Sequence, residues 1–483
     1  MIKEFGEYLP DLPRLGNPGC LQAKNSIPAA IGYKQLDDLS VYSDAMDARP
    51  QGAISCLDKD GNVYNFAGNA SKLYEMASAE WSDKSKSGGY TTGTDEVWSF
   101  AKEGNVVIAT NITDNPQAIT LGAANFADLA GTPPKARFAA FSNNHLLLAN
   151  VNDGVDGAVP HRVWNSALGD HTGWTQGTNQ CEHNTLTGDG GWIYGLVGGE
   201  YATIFQEKAI VRASYIGYGS IFQYDEIEGG RGTKASNSIV RVGTNIFYFS
   251  DDGFRVFDGQ RSISIGKNKL NETVLADLDQ SYLYRISGQV DPTNSLIFWA
   301  YPGSGNTNGR PNKLVIYDYI NNKWSHGELE IELLHYALGE GYTLDQLDAF
   351  GTLDSLPASL DSRIWTGGNT LLSAFDSSQK LNFFTGDALT AEFETAELEL
   401  TPGRRSRIRE IRTIIDSGTH TVKVKSRNNQ ADSVAIGSSI AQAPSGRFAT
   451  RNNARYQSIV TTVSGGFSNA VGVDIGHVPG GRR

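Results

Sequence analysis

The chain has 483 residues, of which 39% are hydrophobic, and it carries a net charge of −12. Such a content is globular rather than disordered and supports two or three domains with cores of their own. The negative balance argues against a protein that grips nucleic acid by broad charge neutralisation, although not against a surface that DNA slides past.

Residues Met1 to about Pro50 read as an irregular arm. Glu4 and Glu7 interrupt the apolar core that a signal peptide needs, so export by the usual signal route is not expected. Pro10, Pro13, Pro18 and Pro28 break any long helix, and Gly16-Asn17-Pro18-Gly19 is turn chemistry. A segment of this kind folds by lying on something else, either the body of its own chain or a neighbouring subunit. The plainer reading is a partly mobile tail.

Hairpins follow. With 54 Gly, 20 Tyr, 20 Phe and only 16 Pro, the composition favours short strands and tight turns. Ala53–Phe66 turns at Asp58-Lys59-Asp60-Gly61, Glu96–Ile112 at Glu103-Gly104-Asn105, and Arg137–Ala149 at Ser142-Asn143-Asn144. Asn150 to Pro160 reads as a long loop. Trp192–Gln206 turns at Gly198-Gly199-Glu200. The clearest unit is Asn245–Gln260, where Ile246–Phe249 and Phe254–Phe257 flank Ser250-Asp251-Asp252-Gly253. Leu296–Trp299 pairs with Leu314–Tyr317, and Ser362–Phe384 closes the series, with turns at Gly367-Gly368-Asn369 and Asp376-Ser377-Ser378. Starts recur every ~40–65 residues, close to a propeller-blade period. The expected fold is an all-β propeller of six or seven blades over residues 51–387, with stacked β-sandwiches as the alternative.

One segment departs from the pattern. Leu270, Val274, Leu275, Leu278 and Leu283 have helical spacing, with Asn271 as an N-cap-like residue and Glu272 in the first turn, so a short helix is expected within Lys269–Arg285. From Ala388 the chain reads as a small separate, sandwich-like β domain: Glu392–Leu400 as a half-exposed strand, then Thr421–Lys425 and Ser458–Val463. Residues 388–483 hold 13 Lys and Arg against 8 Asp and Glu, whereas residues 1–387 hold 28 against 45.

Within the basic part, Arg404, Arg405, Arg407, Arg409 and Arg412 form a run. On a strand, Arg405, Arg407 and Arg409 share one face. Guanidinium forks suit carboxylates and phosphates, and with the rest of the chain acidic the favoured partner is an acidic protein surface; DNA phosphates or a merely solvated face are the alternatives. Cys20, Cys56 and Cys181 do not make a disulfide framework, which fits assembly in a reducing cytosol. Cys181-Glu182-His183 has no second ligand pair at a zinc spacing, so no metal is expected. Asp37-Asp38 and similar pairs could serve glycoside hydrolysis only at a separation that sequence does not show. The sequence lacks a P-loop, a GxGxxG after a strand, a HExxH and a nucleophile elbow, so neither an enzyme nor a cofactor is expected. No apolar run is long enough for a transmembrane helix.

Ser250-Asp251-Asp252-Gly253-Phe254 resembles the turn box of sialidase-type propellers, where it stabilises a hairpin away from the active site. The chain as a whole resembles the tail hub and nozzle proteins of short-tailed bacteriophages. Three places carry that resemblance. The first is the arm: Glu7-Tyr8-Leu9-Pro10-Asp11, Asn17-Pro18-Gly19, Ala23–Pro28 and Gly32-Tyr33. The second is Gly195–Phe205 with the Gly-rich Gly229-Gly230-Arg231-Gly232 and Ile263–Gly266. The third is Arg404–Arg412 with Gly446-Arg447-Phe448, Arg451, Ala454-Arg455-Tyr456 and Gly472-Val473-Asp474. The resemblance implies a propeller with an added β domain and a virion protein assembled in the host cytoplasm. It also implies a homo-oligomeric ring, usually a hexamer, below the portal and adaptor, through which DNA leaves without sequence-specific binding. It carries over no catalytic residue. Its candidate subunit or partner interface is Arg404, Arg405, Arg407, Arg409 and Arg412 with Tyr8, Asp11 and Asn17.

Two other functions fit an acidic propeller. One is a glycan-binding or glycan-cleaving protein on the virion surface, for which Trp192, Trp299 and Trp365 could line a pocket, although all three read as strand residues and the favoured reading places them in the core. The other is a cellular protein-interaction propeller, which the arm and the basic C-terminal part fit less well.

Overall fold

The computed structural model describes residues 1–217, 219–339, 351–352, 356, 359–360 and 370–481. The chain is an all-β propeller joined to a β-sandwich. Its meanders are antiparallel four-stranded units: blade 1 (residues 52–83), blade 2 (99–128), blade 3 (135–185), blade 4 (193–229), blade 5 (240–264), blade 6 (287–327) and blade 7 (333–383). Six blades are separate four-stranded sheets; blade 6 is one end of a ten-stranded sheet. Among the described residues blade 7 has three strands of its own, Leu333–Leu338, Thr370–Phe375 and Lys380–Phe383, and its fourth is the early strand Ser40–Ala45, with Asn382 opposite Val41. Joining the two ends of the ring in one blade leaves no open sheet between them.

Why these strands stack is visible in their burial. Leu146–Ala149, Ile246–Phe249, Leu296–Tyr301 and Leu314–Tyr317 are buried on both faces, as middle strands between two neighbouring blades must be. Outer strands such as Glu80–Asp83 and Glu182–Thr185 are polar. Apolar clusters fill successive blade interfaces. Phe66, Trp98 and Phe126 join blades 1 and 2, Phe205, Tyr248 and Phe257 join 4 and 5, and Phe298, Ile316 and Leu334 join 6 and 7.

The hairpins fall where the turn residues put them, with two corrections. Asn150–Pro160 is not a long loop. His145–Asp153 and Gly157–Asn165 are nine-residue strands joined by a tight turn, in which Asp153 accepts the backbone N–H groups of Val155 and Asp156. Asn150, at φ 58°, marks a bulge where the register shifts between Ala149 and Val151, so the strand bends and continues. Of the last hairpin, Thr370–Phe375 and Lys380–Phe383 are strands, whereas Gly367-Gly368-Asn369 and Trp365 lie outside the described residues.

The expected helix is shorter than its apolar spacing suggests. An α-helix runs Asn271–Asp277, Leu278 is extended, and a 3₁₀ segment follows at Gln280–Arg285. Asn271 is not its cap. Its amide turns back to the Asn245–Gln260 hairpin, donating to the Asp252 carbonyl at 2.8 Å and accepting from the Phe254 N–H at 3.2 Å.

The arm wraps its own chain. Ile2–Glu4 pairs with the C-terminal strand Ala470–Pro479. Cys20–Lys24 lies between Lys323–Gly327 of blade 6 and Ala391–Thr395, and so fuses propeller and sandwich into the ten-stranded sheet. Ser26–Pro28 and Tyr33–Gln35 complete the second sandwich sheet beside Ala470–Pro479 and Ser406–Ile415. The C-terminal part is therefore not separate: both chain ends build it, and its core, with Phe5, Tyr33, Phe393, Ile411, Ile459 and Val473, is continuous with Trp299 and Trp324 of blade 6.

Candidate functional site

The strand Ser406–Ile415 carries the arginine run. Ser406, Ile408 and Ile411 point into the sandwich core, and Arg407, Arg409 and Arg412 are exposed. The register shifts between Ile408 and Glu410, and this bulge changes the parity of the strand. Arg412 therefore joins Arg407 and Arg409 on the outer face. Arg405 does not share it as a strand residue: it precedes the strand, half-buried, and Arg404 stands exposed in the turn.

Arginines elsewhere in the described chain are engaged. Arg137, Arg162, Arg255 and Arg427, for example, sit on carboxylates at 2.5–2.6 Å. Arg49 and Arg241 donate to carbonyls, and Arg212 lies over the Tyr201 ring. Arg404, Arg405, Arg407, Arg409, Arg412 and nearby Arg451 have no carboxylate within the 4.0 Å of an ion pair among the described residues. Two acids on this sheet are already taken. Glu410 pairs with Arg447 at 3.3 Å, and Asp474 holds the Met1 amine at 2.9 Å. The face is left with guanidinium groups in no close ion pair among the described residues, with Asp474 opposite Arg412 in the strand register and Glu4 exposed on the same sheet.

Tyr8, Asp11 and Asn17 do not join that face. Tyr8 is 5% exposed and stacks on His326 at 5.0 Å between ring centroids, and burial pushes its phenol well above the ordinary range. Asn17 donates to the Leu9 carbonyl at 2.9 Å and accepts from the Gly19 N–H at 2.8 Å. Asp11 accepts the N–H groups of Glu272 and Thr273. All three make contacts inside the chain, where the arm meets propeller and sandwich.

That seam holds groups the sequence reading did not single out. The Glu392–Leu400 segment was expected to be half-exposed, yet Glu394 and Glu397 are each 5% exposed. Glu394 accepts from Lys425 at 2.6 Å and from Arg14 of the arm. Glu397 takes both Arg427 nitrogens at 2.6 Å, and hydrogen bonds from Arg427 and Gln430 hold its carboxyl below the usual range despite burial. The available signal was the opposite charge of Lys425, on the predicted strand Thr421–Lys425, and of Arg427 just beyond it; in the structure both lie one strand away, across Tyr456–Ser464.

Cavities of about 330 and 760 Å³ lie on the propeller axis. Their walls come from the innermost strands, with Ile54, Phe100, Phe138, Leu196, Ile239 and Gln289 among them, and hold no carboxylate among the described residues. Ion pairs cross between blades near one mouth: Glu96 with Arg137 at 2.5 Å, Glu207 with Lys234 at 3.0 Å, and Glu332 with Arg285 and Arg310. His335 is buried beside Ser55 at 2.9 Å, and burial pushes it down to about 3. Trp299 is fully buried and Trp192 is 51% exposed. Cys181 is buried, and His183 packs on Trp164 at 4.6 Å. Among the described residues no group of three His, Cys, Asp or Glu is placed to hold a metal ion. No helix among them is long and apolar enough to cross a membrane.

No family model matches this chain, and no curated protein matches it. Solved structures resemble it at low similarity. The BBS1 N-terminal domain in complex with ARL6 is 10% identical at a TM-score of 0.41, covering 72% of this chain and 96% of that one. A fungal alcohol oxidase in complex with copper is 10% identical at 0.40, covering 90% and 98%. YCF48 bound to D1 peptide is 10% identical at 0.36, covering 74% and 99%. At these TM-scores none of them bears on what this chain does, and the fold rests on the chain's own strand pairing.

Proposed function

We propose that this chain is a structural protein of a short-tailed bacteriophage virion. In this reading it is a tail hub or nozzle subunit that assembles with copies of itself into a ring below the portal and adaptor and extends the channel through which DNA leaves. The observation that carries the reading is the arginine face with no close ion pair among the described residues, because exposed guanidinium on a rigid sheet suits a docking surface for acidic partners. The sequence resemblance and the joined propeller–sandwich architecture support it.

Axial cavities of about 330 and 760 Å³ are the size of small-molecule pockets, so a duplex would pass between copies and not through a propeller. Residues 1–387, at 28 basic against 45 acidic side chains, would repel phosphates and let DNA move without binding the wall. The glycan reading gains nothing from the described residues of the axial walls, which hold no carboxylate pair.

The test is the solution mass of the purified protein, alone and mixed with virion tail components, measured by light scattering beside a sugar-release assay on host polysaccharide. A ring, formed alone or on adding an adaptor, supports the proposal. A persistent monomer that releases sugars overturns it.

A further inference from the structure

The arginine face has a counterpart elsewhere on the chain. The outer strand of blade 3, Glu182–Thr185, and that of blade 4, Phe222–Gly229, border the same stretch of propeller rim. Glu182 and Glu226 stand exposed on these strands and Asp189 on the link from blade 3 to blade 4, while Asp225, half-buried and holding Gln223 at 2.8 Å, faces the other side of its strand. None of the four has an ammonium or guanidinium within the 4.0 Å of an ion pair among the described residues. A cleft of about 510 Å³ opens there, with Leu186, Phe222, Tyr224 and Glu226 in its wall. Both strands are sheet edges, so their backbone groups are open on the outward side as well.

We propose that the arginine face of the sandwich docks on this acidic rim of a second copy of the chain. The proposal deepens the ring-forming reading above and rests on it. The sandwich hangs on blade 6 through Cys20–Lys24, whereas the acidic rim lies two to three blades away around the propeller. Two different patches at an angle on one rigid body make a head-to-tail contact, and such a contact propagates until it closes into a ring or runs on as a filament. Charge complementarity sets the register. Alternate strand residues lie ~7 Å apart, so Arg407, Arg409 and Arg412 spread their forks along the acceptor rather than stacking on one carboxylate.

The test is charge reversal on each side, read as particle mass at low ionic strength. One variant carries Arg407→Glu, Arg409→Glu and Arg412→Glu; the other carries Glu182→Lys, Asp189→Lys and Glu226→Lys. Wild-type chain is expected as a multiple of 52.2 kDa that falls to single chains on adding salt. Each variant alone is expected at single-chain mass. An equimolar mixture is expected to regain the wild-type mass, because each variant's altered patch then faces an opposite charge on the other. Circular dichroism melts check that both fold; if one does not, the other alone carries the test through its loss of assembly.

A wild-type assembly that persists in the variants overturns this contact and leaves the ring reading standing. A wild-type chain that is monomeric at every concentration and at low salt overturns this contact, and only the addition of tail components then decides the ring. Duplex DNA is the competing partner. If the arginine variant loses binding to labelled duplex while its assembly mass is unchanged, the face belongs to DNA and the proposal fails.

Discussion

Asp11 caps the first turn of the helix Asn271–Asp277 through Thr273: the arm carboxylate accepts the Thr273 N–H at 2.8 Å and the Thr273 hydroxyl at 2.7 Å, across 262 residues of sequence. The same carboxylate takes the Glu272 N–H at 2.9 Å. The helix Asn271–Asp277 has no side-chain cap of its own, so its first turn is finished by the arm.

Replacing Asp11 by alanine is expected to lower stability by ~1–2 kcal/mol, the usual cost of losing a helix cap. Asp11→Asn keeps an acceptor and should recover part of that loss. Urea unfolding of the three proteins measures it. No change in Asp11→Ala would mean that the arm contributes nothing to the helix.

The Glu397–Arg427 pair gives a larger effect. Its side chains are 4% and 12% exposed, and Arg427→Ala leaves a buried carboxylate without its fork. The expected loss is ~3–5 kcal/mol. The double variant Glu397→Leu, Arg427→Met removes both charges and is expected to lose much less. Equal losses in the single and double variants would contradict this account.

Acid should loosen the seam through His326. Burial pushes this ring down to about 4 from an ordinary 6.5. The folded chain thus holds it neutral where the unfolded chain has already taken a proton. Stability from this group is complete above pH 6.5 and is lost as pH falls from there to about 4, by roughly 3 kcal/mol in all. His326→Phe keeps a ring against Tyr8 and should flatten that part of the pH dependence. Unfolding curves at pH 7 and pH 4.5 compare the slopes.

Gly253 tests the central hairpin. It sits at φ +102°, and a Cβ there would lie 2.2 Å from the Asn271 side chain. Gly253→Ala is therefore expected to cost more than ~1 kcal/mol, through backbone strain and displacement of Asn271 together. A thermal melt indistinguishable from wild type would contradict this.

The blades were legible because their turns are local. Asp58, Asp258 and Asp376 accept backbone N–H groups two to four residues on, and that chemistry is written in the turn itself. The arm's destination was not, because its partners are distant: Lys24 lies opposite His326, Ala23 opposite Phe393, and Met1 on Asp474. The arginine face was half legible. Alternation placed Arg407 and Arg409 together, but only the bulge brings in Arg412. Burial of Glu394 and Glu397 was hidden, because alternating acids read as a solvated strand until their basic neighbours are known.

Electron microscopy of the purified protein, alone and with tail components, tests the central claim most directly. The account predicts closed rings of repeated propellers around an opening wide enough for duplex DNA. Single propellers under all conditions, or open-ended filaments without a closed form, would contradict it.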